Sequence, residues 1–137
     1  MYRLICSVLL ALSLSGCSAV GGAVDSSKKN ITYDKAMWKY ETAIRWADFG
    51  TANSLRRLED QSAYSPDLST LQHIRVTSYN LKQETFSEDN AKVQLAVEII
   101  YYNDQTMKLV TIIDNQTWKY DPVIKDWYIS TPLPAFK

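Results

Sequence analysis

Few side chains in this sequence have an evident capacity for acid–base or metal chemistry. His73 is the only histidine, and it could act as a general base beside a carboxylate, because a free imidazole titrates near neutral pH. One histidine cannot form a multi-histidine metal site. The sequence also contains no Gly-rich phosphate loop, G-x-S-x-G elbow or H-E-x-x-H helix. Since His73 stands at a predicted strand start, where a half-exposed histidine is common, we favour a structural role.

Cysteine chemistry is confined to the first part of the chain, at Cys6 and Cys17. Cys17 ends the sequence Leu14-Ser15-Gly16-Cys17, which follows Arg3 and the apolar run of residues 4–14. That run is shorter than the roughly 20 apolar residues needed to cross a bilayer. A basic start, a short apolar run and small residues after it are typical of a secretory signal.

The sequence Leu14-Ser15-Gly16-Cys17 resembles the lipobox of bacterial lipoproteins. The resemblance implies that Cys17 carries diacylglycerol, becomes the first residue after cleavage and is acylated on its amino group. Leu14, Ser15 and Gly16 would be the recognition residues that are lost with the signal, residues 1–16. The alternative is an ordinary cleaved signal in which Cys17 has no special role.

Ser18 bears on the membrane to which the protein is delivered. An Asp at this position resembles an inner-membrane retention signal, and its absence favours the outer membrane, on the periplasmic side. Residues 17–31 are small, polar and Gly-containing, and they predict a flexible tether ahead of a domain at 32–137. The 15 basic and 15 acidic residues balance, so no basic field is present to attract nucleic acid.

The domain's first half has a helical period. Thr32 predicts a helix N-cap, and Gly50 predicts the end of that helix. Its apolar stripe comprises Tyr33, Met37, Tyr40, Ile44 and Ala47, widened by Trp38, Trp46 and Phe49. Thr51 predicts the cap of a second helix that extends to Leu58.

The second half changes to a period of two, which predicts about four strands separated by turns. In the first, Ile74, Val76 and Ser78 alternate with Arg75, Thr77 and Tyr79. The others cover 92–101, 107–120 and 127–129. Helices followed by strands indicate an α+β domain, in which an antiparallel sheet curves around the first helix.

This order resembles the NTF2-like, or cystatin-like, superfamily, whose cone-shaped sheet encloses an N-terminal helix. The ending TWKYDPVIKDWYIS, residues 117–130, is similar to the superfamily's closing pair of strands. Related enzymes work inside the cone with Asp, Tyr or His, and the resemblance offers such groups here: Tyr33, Asp34, Tyr40, Tyr79, Tyr101 and Asp114. Because no catalytic pattern of those enzymes is visible, we expect no enzymatic activity, no cofactor and no metal.

Aromatic residues are the candidates for binding. Four of them could contribute to a partner surface or a pocket: Tyr101, Tyr102, Trp118 and Trp127. Aromatic residues at strand spacing more often form the core. Adjacent residues on a strand face opposite sides, so one of Tyr101 and Tyr102 should face away from the core. We expect a lipid-anchored module that presents its sheet to an envelope protein. A small-molecule pocket and an unrecognised enzyme are the alternatives.

Overall fold

The structure is a computed structural model that describes residues 19–58 and 67–137. The predicted lipidation site Cys17 and its recognition residues Leu14, Ser15 and Gly16 lie outside the described residues. Two helices, α1 (Ala19–Arg45) and α2 (Phe49–Ser54), precede a short 3-10 turn at Leu68–Leu71. Four strands follow: β1 (Ile74–Phe86), β2 (Lys92–Asn103), β3 (Leu109–Asp121) and β4 (Asp126–Ile129).

The strands form one open sheet in the order β1-β2-β3-β4, and every neighbouring pair is antiparallel. This confirms the α+β class and the four-stranded antiparallel sheet. On β2, alternate residues from Val93 to Tyr101 are buried on the face that carries α1, and this face is called the inner face below. The opposite, outer face includes the exposed side chains of Leu109 and Ile113.

Strand β1 departs from the strict alternation that its sequence predicts. Its pairing with β2 shifts between Val76 and Ser78 and again between Leu81 and Gln83, as β-bulges do. Each shift moves the following residues to the other side of the strand. Tyr79, which the alternation grouped with the exposed Arg75 and Thr77, is therefore buried on the inner face.

Helix α1 begins earlier than predicted, so the N-cap assigned to Thr32 is wrong. The helix includes residues 19–31, whose small and polar composition predicts a tether. Inside the helix the Thr32 hydroxyl donates to the carbonyls of Lys28 and Lys29, at 3.1 and 2.9 Å. The Nε1 of Trp127 also donates to the Lys29 carbonyl, at 2.9 Å, which fixes this part of α1 to the sheet.

The end of α1 also differs from the prediction based on Gly50. The helix ends at Arg45, and Ala47 takes the left-handed conformation, with a φ of 56°. The Asp48 amide donates to the Ala43 carbonyl at 2.8 Å, as in a Schellman motif. Asp48, not Thr51, then caps α2 by accepting from the Thr51 amide at 3.0 Å, and Gly50 lies within α2.

The apolar stripe of α1 is narrower than predicted, because Trp38 and Trp46 do not belong to it. The buried residues of α1 are Tyr33, Ala36, Tyr40, Ala43 and Ile44. At about 100° per residue, Trp38 and Trp46 lie about 140° from Tyr33 on either side. Their side chains are 68% and 82% exposed, so they face solvent.

The core between α1 and the inner face is built from aromatic rings. Trp118 meets Tyr33 and Tyr40 edge-on, with ring centroids 6.2 and 5.6 Å apart. Trp127 packs on Tyr33 at 5.2 Å. Such edge contacts stabilise by roughly 0.5–1.5 kcal/mol each beyond the area they bury. The aromatic rings therefore determine how α1 lies on the sheet.

Two tyrosines in this core provide a matched test of its hydrogen bonding. The Tyr33 hydroxyl donates to Glu84 at 2.7 Å, whereas the buried Tyr40 hydroxyl has no partner among the described residues. Tyr33→Phe should lower the free energy of unfolding by about 1 kcal/mol, and Tyr40→Phe should leave it unchanged or raise it. Urea denaturation of both variants measures this. A loss of stability in Tyr40→Phe as large as that in Tyr33→Phe would contradict the assignment.

Candidate functional site

A polar cluster lies on the inner face, within the aromatic core. Asp114 and Gln116 stand on β3, opposite Val97 and Leu95 of β2, and Tyr79 joins them from β1. The Gln116 amide donates to the Asp114 carboxylate at 2.7 Å and to the Tyr79 hydroxyl at 2.9 Å. Its carbonyl accepts from the Trp118 indole at 3.1 Å. Gln116 therefore connects all members of this cluster, which we call the Asp114 cluster.

Burial changes the proton affinity of these groups. It raises the pKa of Asp114 from 3.8 to about 6, although the hydrogen bond from Gln116 acts in the opposite direction. Burial also raises the pKa of Tyr79, and it raises that of Tyr40, where the nearby Asp114 charge adds to the effect. Near neutral pH the cluster thus holds one carboxyl group that can change its charge beside neutral tyrosines.

The chemistry open to the Asp114 cluster is proton exchange or hydrogen bonding to a small polar group. Below pH 6 Asp114 is a neutral acid in an apolar setting, a state in which carboxylic acids can donate hydrogen bonds. Tyr40 adds a buried hydroxyl with no partner among the described residues. Of the six acid–base candidates in the sequence, the structure brings together Tyr40, Tyr79 and Asp114.

The other acid–base candidates lie apart from this cluster. Asp34 is exposed on α1, and the Tyr101 hydroxyl accepts from the Lys137 amide at 2.9 Å. His73 immediately precedes β1, as predicted. It contacts Asp104 at 2.8 Å, and Arg75 pairs with the same carboxylate at 2.6 Å. His73 thus lies in a half-exposed polar group with the Arg75–Asp104 ion pair, beside the start of β1.

The four aromatic binding candidates divide between the two faces. Tyr101, Trp118 and Trp127 are buried in the core, where they contact α1 or neighbouring rings. Tyr102 is half-buried on the outer face, opposite Leu109, so the two adjacent tyrosines face opposite sides as the alternation predicts. Only Tyr102 of the four presents substantial surface to solvent.

A surface that the sequence analysis missed lies on the outward side of α1. Trp38 and Trp46 border a shallow cavity of about 240 Å³, whose other walls include Thr42 and Thr51. We call this the tryptophan face. Trp38 and Trp46 are eight residues apart, which places them about 80° from each other at helical spacing, and this pairing is the one sequence signal for the face.

A second cavity, of about 620 Å³, lies where the first turns of α1 meet the end of the sheet. Its walls include Lys28 and Ile31 of α1, Ala91 after β1, and Tyr120 and Pro122 at the end of β3. Lys29 lies over the Tyr120 ring, with its Nζ 5.3 Å from the centroid. This end of the domain is therefore formed jointly by α1 and the turn between β3 and β4.

Neither a metal-ligand group in the described residues nor a matching protein adds to this geometry. Across 19–58 and 67–137, no three His, Cys, Asp or Glu side chains are grouped so as to hold a metal ion. Within the same ranges, none of the helices has the length and apolar character needed to span a bilayer. No protein-family model, curated protein or solved structure matches this chain.

The Asp114 cluster predicts a specific dependence of stability on pH. Because the folded-state pKa of Asp114 is raised, the folded protein binds more protons than the unfolded chain between about pH 4 and 6. Stability should therefore fall as the pH rises through that range. The raised pKa corresponds to about 3 kcal/mol lost when Asp114 ionises. Asp114→Asn should be about 1–3 kcal/mol more stable than the parent at pH 7 and equal to it near pH 4.

Urea denaturation at several pH values measures this difference, and Asp34→Asn, the same change at an exposed position of α1, is the control. Equal pH profiles for Asp114→Asn and the parent would show that Asp114 does not titrate in this way.

Proposed function

We propose that this protein is a lipoprotein anchored through Cys17 on the periplasmic side of the outer membrane, and that its domain binds another envelope protein without catalysis. The observation that carries the binding role is the exposure of Trp38 and Trp46 on one side of α1. Tryptophan is among the residues most enriched in interaction hot spots. Trp38 on the outward side of α1 and Trp46 directly after its last residue are both solvent-facing, which favours a partner over a purely structural role.

The anchor rests on the sequence Leu14-Ser15-Gly16-Cys17 and its place after an apolar run. Each buried CH₂ of an acyl chain contributes about 0.8 kcal/mol, so one chain binds marginally and two or three hold firmly. Confinement to the membrane also raises the local concentration of the domain near other envelope proteins. A modest contact through the tryptophan face then becomes sufficient.

We place the partner surface on α1 rather than on the sheet. The outer face of the sheet exposes Leu109 and Ile113 but has no exposed tryptophan among the described residues. At the end of α1, the cavity between Trp38 and Trp46 offers a place for one partner side chain, and Thr42 and Thr51 are among its other walls. Trp38 lies about 29 Å along the helix axis from Ala19, and Trp46 follows the last helical residue, so this face is separated from the anchor.

For the domain, we propose a small NTF2-like cone. Three features support it: α1 packs across one face of an antiparallel sheet, two bulges in β1 favour bending of that sheet, and residues 117–130 form the closing hairpin. The two tryptophans of that hairpin, Trp118 and Trp127, are buried under α1.

A second function, binding of a small molecule inside the cone, is favoured by the unpartnered Tyr40 hydroxyl near Asp114. Native mass spectrometry of the purified protein tests it. A co-purifying mass that disappears in Tyr40→Phe supports this second function, and a bare chain in both proteins argues against it.

The anchor predicts that a single thiol is acylated. Cys17→Ser should abolish incorporation of a fatty-acid analogue and remove the protein from the outer-membrane fraction, because the acyl chains supply the attachment. Cys6→Ser is the matched control, and it should keep both properties because Cys6 lies within the signal. Fatty-acid labelling with membrane fractionation measures both. Continued labelling of Cys17→Ser would contradict the assignment.

If the tryptophan face is the binding surface, one partner should bind there, and binding should be lost when both tryptophan rings are removed. A photocrosslinker at Lys39, which lines the cavity, should capture one envelope protein in whole cells. Changing Trp38 and Trp46 together to Ser should weaken that capture more than tenfold, since hot-spot rings contribute about 2 kcal/mol or more each. Both rings are exposed, so the unfolding temperature should change little.

The control for this experiment is Leu109→Ser, an exposed apolar residue at the start of β3. It should leave the crosslink intact. Equal capture by the double tryptophan variant would rule out this face. Capture of only a second copy of the chain would replace an envelope partner by self-association.

A further inference from the structure

The turn between β3 and β4, residues 122–125, exposes apolar side chains at its tip. Val123 is 88% and Ile124 53% exposed, and the Asp121 carboxylate accepts from both of their amides, at 2.9 and 3.4 Å. These two hydrogen bonds fix the backbone of the turn in a conformation that exposes both side chains. Ile31 of α1, 56% exposed, also borders the cavity between α1 and this turn.

The position of this turn relative to α1 follows from direct contacts. Trp127 of β4 donates to the Lys29 carbonyl, and Lys29 lies over the ring of Tyr120 in β3. The part of α1 around Lys29 and the β3–β4 turn therefore lie at the same end of the domain. From Asp25, near that end, α1 continues for six residues to Ala19, a distance of about 9 Å along its axis.

The same end must lie near the point of acylation. Two peptide steps separate Ala19 from Cys17, and they span at most about 7 Å. The Cα of Cys17 is thus within roughly 16 Å of Asp25. The headgroup zone of one leaflet is itself about 5–8 Å thick, so Asp25 can lie at most about 8–11 Å beyond that zone when Cys17 is held at its inner boundary.

We propose that the surface formed by Ile31, Val123 and Ile124 contacts the bilayer to which the protein is attached; this inference rests on the proposed lipid anchor. The occupant is the lipid headgroup and acyl boundary, where apolar side chains on a polar scaffold bind. Three lysines, Lys28, Lys29 and Lys125, border the cavity at this end, and the acidic residue of its lining, Asp25, pairs with Lys29 at 3.2 Å. The lysines add attraction to anionic headgroups, and the apolar side chains enter the boundary. The contact fixes the orientation of the domain relative to the bilayer.

The test places an environment-sensitive fluorophore on single cysteines in the full, acylated chain. Val123→Cys reports on the turn. Met107→Cys is the matched control, because Met107 is also an apolar turn residue, 71% exposed, at the opposite end of the sheet. Both proteins are reconstituted in phosphatidylethanolamine and phosphatidylglycerol vesicles that contain spin-labelled lipid. At a depth of about 5–10 Å, the label at 123 should be roughly threefold more strongly quenched than the label at 107.

A second measurement excludes partitioning of the fluorophore by itself. With the label on Ile31→Cys, the changes Val123→Asp and Ile124→Asp should reduce quenching to the level of the control, because charged side chains oppose entry into the boundary. Equal, weak quenching at 123 and 107 in an acylated, vesicle-bound protein would overturn the contact and leave the anchor proposal intact. Failure of the chain to become acylated would overturn both.

Discussion

The packing of α1 on the inner face of the sheet is the interaction on which the rest of this structure depends. Both cysteines precede Ala19, so no disulfide can reinforce the domain. The aromatic contacts among Tyr33, Tyr40, Trp118 and Trp127 perform that task by holding a 27-residue helix across the sheet. Because one face of α1 is committed to this packing, the orientation of its opposite face is fixed as well.

The same core contains a polar group that opposes its own stability. Asp114 is nearly inaccessible to solvent, yet its main hydrogen bond comes from the neutral amide of Gln116 and not from a cation. A core optimised only for stability would replace such a carboxylate with an apolar or amide side chain. Its presence identifies the Asp114 cluster as the place where the domain departs most from simple packing.

The strands were predictable because a half-buried antiparallel sheet enforces a period of two, and β2 keeps that period throughout. Three features escaped prediction for physical reasons. Helix α1 has no sharp N-terminal signal, so Thr32 was a plausible cap. Trp38 and Trp46 are apolar, and apolarity alone does not reveal that a ring faces solvent. Tyr79 reaches the face that carries Asp114 because of a bulge in β1. That bulge arises from the pairing of β1 with β2, and no residue pattern in the sequence indicates it.

The two bulges of β1 have a further consequence, because β1 is an edge of the sheet. A long, regular edge offers a row of unpaired amides and carbonyls that can template the addition of strands from other molecules. In β1 that row is interrupted at Thr77 and Lys82, and Lys82 adds a charge that pairs with Glu98 at 3.0 Å. If the protein is anchored as proposed, its copies share a two-dimensional surface and meet edge to edge more often than in free solution. An irregular border along β1 would keep such encounters from growing into amyloid-like aggregates.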